Sequence, residues 1–415
     1  MKVVQINAVC DTGSTGRICR ELNDSLIQQG HQGIVLYGNG GSQYAFAQKV
    51  TGKYGVKAHA LLSRVLGKNA AYSPIATKRI IRALQSYQPD VVHLHNLHGN
   101  YVSLKPLLQY LAENDVPTVI TLHDCWFFTG KCTHYTAEGC YKWKTGCHDC
   151  PKLKADIPSF FLDRTGEMWA EKKKLFGSIP RLGVVGVSDW ITKEAQQSFL
   201  KNAKIVRRIY NWIDLDVFYP RGNEIRKAYG IPEDQFTVLC IGAGWSENAP
   251  KTKGLLALAQ KLGENGQIIL AGTVPFADKL PANVTYVGYI SSTDKLAQLY
   301  SACDVYVHLS REDTFGKVIA EALACGTPAV VYDSTACPEI VGDGCGFAVE
   351  TGNVDAVAQA VEKVKHQGKS QYSTRCVETA RKRFSKDILV NETIALYKEL
   401  CGSTTEESYE IFGVL

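Results

Sequence analysis

Short apolar runs alternate along this chain with longer stretches whose apolar positions recur every three or four residues. That alternation is the pattern of strand–helix units building a parallel sheet. In the first half, the runs Val3–Ala8, Gly33–Tyr37, Val91–His95, Thr118–Leu122 and Gly183–Val187 are predicted strands. Helical spacing covers Gly16–Gln29, Ile75–Tyr87, Leu104–Asn114 and Asp189–Phe199. The period lapses over Arg208–Pro220 (RIYNWIDLDVFYP), which reads as an inter-domain crossing. A second series then predicts strands at Thr237–Ile241, Gln267–Ala271, Thr285–Val287, Val305–Leu309, Ala329–Tyr332 and Phe347–Val349. Its helices are Gly254–Leu262, Asp294–Ser301 and Lys317–Ala324, followed by two or three more from Val354 to Leu400 and a polar tail. The expected fold class is α/β, with two Rossmann-like domains facing a cleft, since open parallel sheets bind ligands at the carboxyl ends of their strands. The expected boundaries are residues 1–209, with an insertion at about 125–151, then 210–385, a last helix at 386–401 crossing back to the first domain, and a tail at 402–415.

Composition narrows the class. The 415 residues are 45% hydrophobic and 21% charged with a net charge of +5, ordinary globular values that exclude a disordered chain. No apolar run approaches the roughly 18–20 residues of a membrane span. The start, MKVVQINAVC, has a short apolar stretch and no small-residue cleavage site, so a cytoplasmic protein is expected.

Of 14 cysteines, five (Cys125, Cys132, Cys140, Cys147 and Cys150) crowd together in the insertion. The spacing Cys132-x7-Cys140-x6-Cys147-x2-Cys150 offers four soft ligands ending in a C-x2-C knuckle, as zinc sites do. A loop rich in Lys, Gly and Thr has little apolar material to fold on, so a structural zinc is expected to order it. The alternatives are free thiols or ligation that includes His134, His148 or Cys125.

The most informative segment is Ser310–Tyr332, SREDTFGKVIAEALACGTPAVVY. A strand ends, a loop carries Asp313, and the region of Gly316 opens a helix holding Glu321. Eight helical positions span roughly 12 Å. That is too far for two carboxylates acting on one glycosidic bond. It suits a long ligand with a polar group at each end and a phosphate at the helix start between them. A nucleotide-sugar has that shape.

The segment resembles the E-x7-E region of retaining glycosyltransferases of the GT-B fold, specifically glycosyltransferase family 4. The familiar E-G-F-G-x4-E-A-x-A-x-G-x-P stands here as DTFGKVIAEALACGTP. Other pieces follow in the family's order: GSTGR (Gly13–Arg17), PDVVHLHN (Pro89–Asn96), TLHD (Thr121–Asp124), VSDW (Val187–Trp190), YNWIDLDVF (Tyr210–Phe218) and Lys253-Gly254. The insertion is similar to one in members that act in bacterial capsule, exopolysaccharide or O-antigen assembly.

The resemblance implies a role for each matching residue. Glu321 would bind the donor ribose, and Asp313 with Thr314, Phe315 and Gly316 would hold the donor sugar and its phosphate. Lys253 would neutralise the departing diphosphate. Gly13, Gly16 and Arg17 would approach the diphosphate from the first domain. His123 would stand beside the reacting carbon, and His95, Asn96 and Asp124 on the acceptor side. His123, Asp313 and Lys253 are thus the candidate catalytic residues. The family is usually described as retaining by front-face attack without a catalytic metal, so no cofactor is expected for catalysis. Two departures stand out: Asp313 replaces the usual Glu, and the loop GAGWSENAPKTKG lacks the family's Arg, for which Lys251, Arg311 or Arg17 are substitutes.

Charge adds a last expectation. From Ser25 to Pro89 there is no acidic residue but eight basic ones, and Leu61, Leu62, Val65 and Leu66 flank Arg64 and Lys68. This asymmetry suits phosphates or an anionic membrane surface. The expected partners are a UDP- or GDP-sugar donor and a glycan or polyprenyl-diphosphate-linked acceptor, with peripheral contact at the inner face of the cell membrane. Nucleic acid is not expected. A nucleotide-sugar epimerase of the same fold, or an inactive donor-binding protein, are the rival readings.

Overall fold

The structure, a computed structural model, describes residues 1–242 and 244–402. The tail expected from residue 402 lies, beyond Gly402, outside the described residues. The chain forms two compact units: Met1–Ile209 together with the chain from Val390, and Tyr210–Leu389.

The first unit contains, in order, β1 (Lys2–Asn7), α1 (Gly13–Gln28), β2 (Gln32–Tyr37), β3 (Ala47–Lys49), α2 (Lys53–Leu66), α3 (Pro74–Tyr87), β4 (Val91–Leu94), α4 (Leu104–Glu113), β5 (Thr118–Leu122), α5 (Thr165–Gly177), β6 (Leu182–Gly186), α6 (Asp189–Gln197) and β7 (Ile205–Arg208). All strand pairings are parallel, in the order β3-β2-β1-β4-β5-β6-β7. β4 and β5 are buried along their whole length, as strands of a sheet covered on both faces are.

The second unit opens with α7 (Ile225–Ala228) and continues β8 (Thr237–Gly242), α8 (Pro250–Leu262), β9 (Gln267–Gly272), β10 (Val284–Gly288), α9 (Thr293–Ala302), β11 (Val305–His308), α10 (Lys317–Ala324), β12 (Ala329–Tyr332), α11 (Cys337–Val341), β13 (Gly346–Val349), α12 (Val354–Gln367) and α13 (Ser370–Phe384). Its parallel sheet runs β10-β9-β8-β11-β12-β13. The last helix, α14 (Lys386–Cys401), begins in this unit, and its part from Val390 belongs with the first. There it covers β6: a Cβ at Gly183 would stand 2.8 Å from Leu400 Cδ1, so the glycine makes room for the helix.

Both sheets reverse direction once. The order runs outward from β1 to one side and resumes at β4 on the other, and β8 and β11 repeat the arrangement. At such a switch point the two flanking crossovers leave on opposite faces of the sheet, and a crevice opens at the strand ends. Gly13, Gly16 and Arg17 follow β1, His95 and Asn96 follow β4, Lys253 follows β8, and Asp313 to Glu321 follow β11, so these candidates lie at the two points.

The cysteine-rich insertion does not form the expected zinc site. Among the described residues, no group of three or more His, Cys, Asp or Glu side chains is arranged to hold a metal ion. The Cys132 and Cys150 thiols hydrogen-bond to each other, which raises the pKa of Cys132 and lowers that of Cys150 to about 7. Cys147 Sγ accepts Gly130 N–H at 3.2 Å. All 14 cysteines are free thiols.

The segment has an apolar core that the emphasis on Lys, Gly and Thr overlooked. Trp126, Phe127, Phe128, Tyr135 and Trp143 are all buried. Phe128 and Tyr135 meet Trp143 edge-on or tilted, with centroids 4.9 and 5.3 Å away. Lys131 Nζ then ties the far end, donating to the carbonyls of Leu153, Ala155 and Ile157. Aromatic burial and a buried ammonium do the ordering that was assigned to a metal.

Candidate active site

In the first unit the switch point lies between β1 and β4, and the polar residues in these two buried strands meet there. Register pairs Gln5 with His93, and both are buried. His93 bonds Tyr397 Oη on α14 at 2.6 Å and Thr121 Oγ1 on β5 at 2.7 Å. His95, just past β4, lies between Gln5 Oε1 at 3.1 Å and His123 Nε2 at 3.0 Å. The His93 and His95 rings are 4.0 Å apart, and His95 stacks on His123 at 5.3 Å. Burial drives all three imidazoles toward the neutral form, His93 to about 3 and His123 to about 4.

Asp124 accepts from His98 Nε2 at 2.8 Å and from Trp126 N–H at 2.8 Å. Burial pushes its carboxyl up, but these partners outweigh that and hold it below the ordinary carboxylate range. Asn96 N–H donates to Asn7 Oδ1 at 3.1 Å, which fixes the loop after β4 against β1. His95 thus bonds both Gln5 and His123, Asn96 bonds Asn7, and Asp124 bonds His98, three separate sets. The motifs did not include Gln5 and Asn7; their only signal was two amides in a largely apolar strand.

The loop after β1 turns tightly into α1. Asp11 N–H bonds Gly16 O at 3.1 Å, and Gly13 has a φ of 65°, where glycine carries no Cβ penalty. A Cβ on buried Gly16 would stand 3.2 Å from both Asp11 N and the Val9 side chain. Arg17 is exposed on the first turn of this 16-residue helix, which has no acidic residue there. Arg20, not Arg17, pairs with Asp11, at 2.6 Å.

In the second unit the switch point lies between β8 and β11. Asp313, in the loop after β11, turns its carboxylate back on its own chain: Oδ1 accepts Phe315 N–H at 3.1 Å and Gly316 N–H at 2.8 Å. Oδ2 is 3.5 Å from His308 Nε2. Burial would raise this carboxyl; His308 and the two amides overcome it and hold it below its ordinary value. Its own N–H donates to Thr335 Oγ1 at 2.9 Å. Thr335 has a φ of 52°, a left-handed backbone that costs a β-branched residue about 1–3 kcal/mol.

Gly316 starts α10 at a φ of 81°, where an added Cβ would also stand 2.7 Å from Ile319 Cδ1. Ile319 and Ala320 N–H bond back to Gly316 O, so the next amides at the mouth of α10 are those of Lys317 and Val318. Thr314 is buried, and the Phe315 ring packs against Tyr210 and Phe384, so Phe315 anchors the loop through its side chain. Glu321, one turn into α10, is 8% exposed and accepts from Tyr300 Oη at 3.2 Å.

The two lysines on the first turn of α8 differ. Lys253 is exposed, whereas Lys251 is half-buried with Nζ 4.8 Å from the centre of the Trp245 ring, and burial lowers its pKa. After a loop without arginine, the more enclosed of the two ammonium groups is that of Lys251. His308, Tyr300 and Thr335 were not legible as site residues, because only the fold brings them to Asp313 and Glu321.

Comparison with known proteins agrees with this geometry. The sequence signature described as Glycosyltransferase Family 4 matches residues 15–217, and that of Glycosyl transferases group 1 matches residues 222–383. The chain is 25% identical over 421 residues to a chain of Escherichia coli (strain K12) assigned to colanic acid biosynthesis as glycosyl transferase WcaC. That alignment covers 96% of this chain and 100% of the relative. Among solved structures, sucrose-phosphate synthase from Thermosynechococcus elongatus superposes with a TM-score of 0.69 at 17% identity, over 97% of this chain and 100% of that one. Anabaena HepE, solved in complex with UDP and glucose, gives 0.63 at 17% identity with the same coverage. With both sheets of the GT-B architecture present and the two signatures falling one on each half, the chain belongs to the family 4, group 1 glycosyltransferases.

Proposed function

We propose that this glycosyltransferase moves a hexose, with retention of configuration, from a UDP- or GDP-sugar to a hydroxyl of a lipid-linked glycan in bacterial surface polysaccharide assembly. The observation that carries the reading is the buried Glu321 on α10, held by Tyr300 beside the β8/β11 switch point. In the donor site Glu321 takes the ribose hydroxyls, and the amides of Lys317 and Val318 with Lys251 and Lys253 take the diphosphate. Because Asp313 Oδ1 is occupied by Phe315 and Gly316, Asp313 acts by shaping this turn and offers the sugar Oδ2 beside His308. Gly13, Gly16 and Arg17 approach the diphosphate; His95, Asn96, His123 and Asp124 serve the reacting sugar and acceptor.

Thermal-shift titration with UDP-, GDP- and ADP-sugars tests the donor. Saturation at about 100 times Kd stabilises the native state by about 2.7 kcal/mol, a rise of several degrees. Lys253→Ala is expected to weaken nucleoside diphosphate binding about tenfold, the size of one charged contact. Absence of a shift with every nucleotide-sugar would reject the donor site. NMR of the product anomer decides retention, and product formed without acceptor would favour an epimerase instead.

The lipid-linked acceptor draws support from α2. Its buried residues are His59 and Ser63, both polar, while Leu61, Leu62 and Leu66 are exposed: the helix is amphipathic the wrong way round for a core element. Phe160 N–H bonds Arg64 O at 2.7 Å, which brings the exposed Phe160, Phe161 and Leu162 alongside. Apolar side chains within an acid-free stretch suit an anionic bilayer surface. Among the described residues no helix is long and apolar enough to cross a membrane. In vesicle flotation, phosphatidylglycerol membranes are expected to retain the protein, and Leu61→Ser/Phe161→Ser to weaken retention about tenfold or more. Equal flotation of the double variant would remove the membrane contact from the account.

A further inference from the structure

We propose that Gln5 and His95 are positioning residues that set the tautomer of His123, holding its proton on Nε2. The effect on transfer rests on the reading that His123 serves the reacting sugar; the tautomer itself does not.

The argument starts from a backbone carbonyl, the one group in the chain whose hydrogen-bonding role is fixed. Cys19 O, in α1, faces the Gln5 side-chain amide at 2.9 Å. A carbonyl only accepts, so the amide must turn its NH2 toward Cys19 and its Oε1 the other way. Oε1 is 3.1 Å from His95 Nε2, so that nitrogen carries a proton and donates. His95 is 1% exposed, and its ring meets an amide oxygen and other imidazoles with no carboxylate bonded to it, so it is neutral. A neutral imidazole has one N–H; with the proton on Nε2, Nδ1 holds a lone pair. His95 Nδ1 faces His123 Nε2 at 3.0 Å, and two lone pairs do not bond, so His123 Nε2 must carry the hydrogen. Burial keeps His123 neutral at physiological pH, with a pKa of about 4, which leaves its Nδ1 unprotonated.

The chain is rigid at each link. Gln5 and His95 sit on neighbouring parallel strands and are fully buried, and the His95 ring is stacked between His93 at 4.0 Å and His123 at 5.3 Å. His98 and Asp124 bond to each other and not to His95. The tautomer of His123 is thereby set from α1 through β1.

Long-range 1H–15N correlation spectra of the full-length protein with 15N-labelled histidine test this directly. At pH 7, His123 is expected to show a pyrrole-type Nε2 and a pyridine-type Nδ1. The reverse pattern would overturn the proposal without any variant. Gln5→Met keeps the length but removes the acceptor, so His95 and then His123 should become tautomeric mixtures. Transfer kcat should fall about tenfold with the donor KM within about twofold, the effect of one misdirected hydrogen bond of about 1.4 kcal/mol. A His123 tautomer unchanged in Gln5→Met, or a changed tautomer with unchanged kcat, would each refute the positioning role. Failure of the glycosyltransferase reading shows separately, as an absence of transfer with the spectrum intact.

Discussion

Replacing Glu321 with glutamine is expected to weaken donor binding about 5- to 30-fold and to leave the melting temperature within about 2 °C of wild type. The two halves of that expectation come from different parts of the residue. Glutamine keeps an oxygen for the Tyr300 hydroxyl 3.2 Å away, so the buried contact with α9 survives. What is lost is the negative charge, and hydrogen bonds to a charged group contribute about 2–3 kcal/mol where neutral ones contribute about 1. At 1.4 kcal/mol per tenfold, that is the stated range. Alanine is the poorer test: it deletes the partner of a buried tyrosine hydroxyl as well as the ribose contact, so lost binding and lost stability would be confounded. Isothermal titration with the nucleotide-sugar found by thermal shift is the measurement. If glutamine binds donor as tightly as glutamate does, Glu321 is a core partner of Tyr300 and the nucleoside lies elsewhere.

How much of this was legible beforehand follows from burial. Thr118–Leu122, Ala329–Tyr332 and Lys317–Ala324 are predicted to the residue, because each is buried along most or all of its length and its apolar pattern has only one reading. β3 and β7 were not predicted. They are three and four residues long at the edges of the first sheet, and Ala47–Lys49 and Ile205–Arg208 have no fully buried position to signal them. α5 escaped because Lys172, Lys173 and Lys174 interrupt its apolar face, and α2 because its apolar residues face outward. The site divides the same way. Motifs on one contiguous segment, such as Asp313 to Glu321, are visible in sequence; partners delivered by parallel pairing, such as Gln5 opposite His93 or His308 beside Asp313, are not. The zinc expectation failed for a related reason. Cysteine spacing was read without asking what else in the segment could pack, and five buried aromatic side chains answer that question.

Lys172→Met should destabilise the first unit by about 3 kcal/mol at pH 7, or about 6–12 °C in Tm. Lys172 is 2% exposed on α5, and its ammonium donates to Trp126 O at 2.6 Å, Thr129 O at 3.0 Å and Gly130 O at 3.4 Å while lying 3.5 Å from the centre of the Trp126 ring. It thus closes the turn that carries the chain from the Asp124 loop into the cysteine-rich insertion. Methionine preserves the stem and its contact with Trp126 but leaves three carbonyls without this donor, and an unsatisfied buried acceptor costs about 1–3 kcal/mol. The pH dependence separates this from a simple packing loss. Burial lowers Lys172 from 10.5 to about 7 in the folded protein. Between those values the unfolded chain binds more protons than the native one, so wild-type stability gains from this residue as pH rises through that window, and methionine abolishes the gain. Urea melts of the two proteins should therefore diverge as pH increases from 7 toward 10, by up to about 1.4 kcal/mol per unit. A gap that stays constant would mean the lysine titrates in the folded protein as it does in the unfolded chain, and a variant as stable as wild type would mean the three carbonyls find other donors.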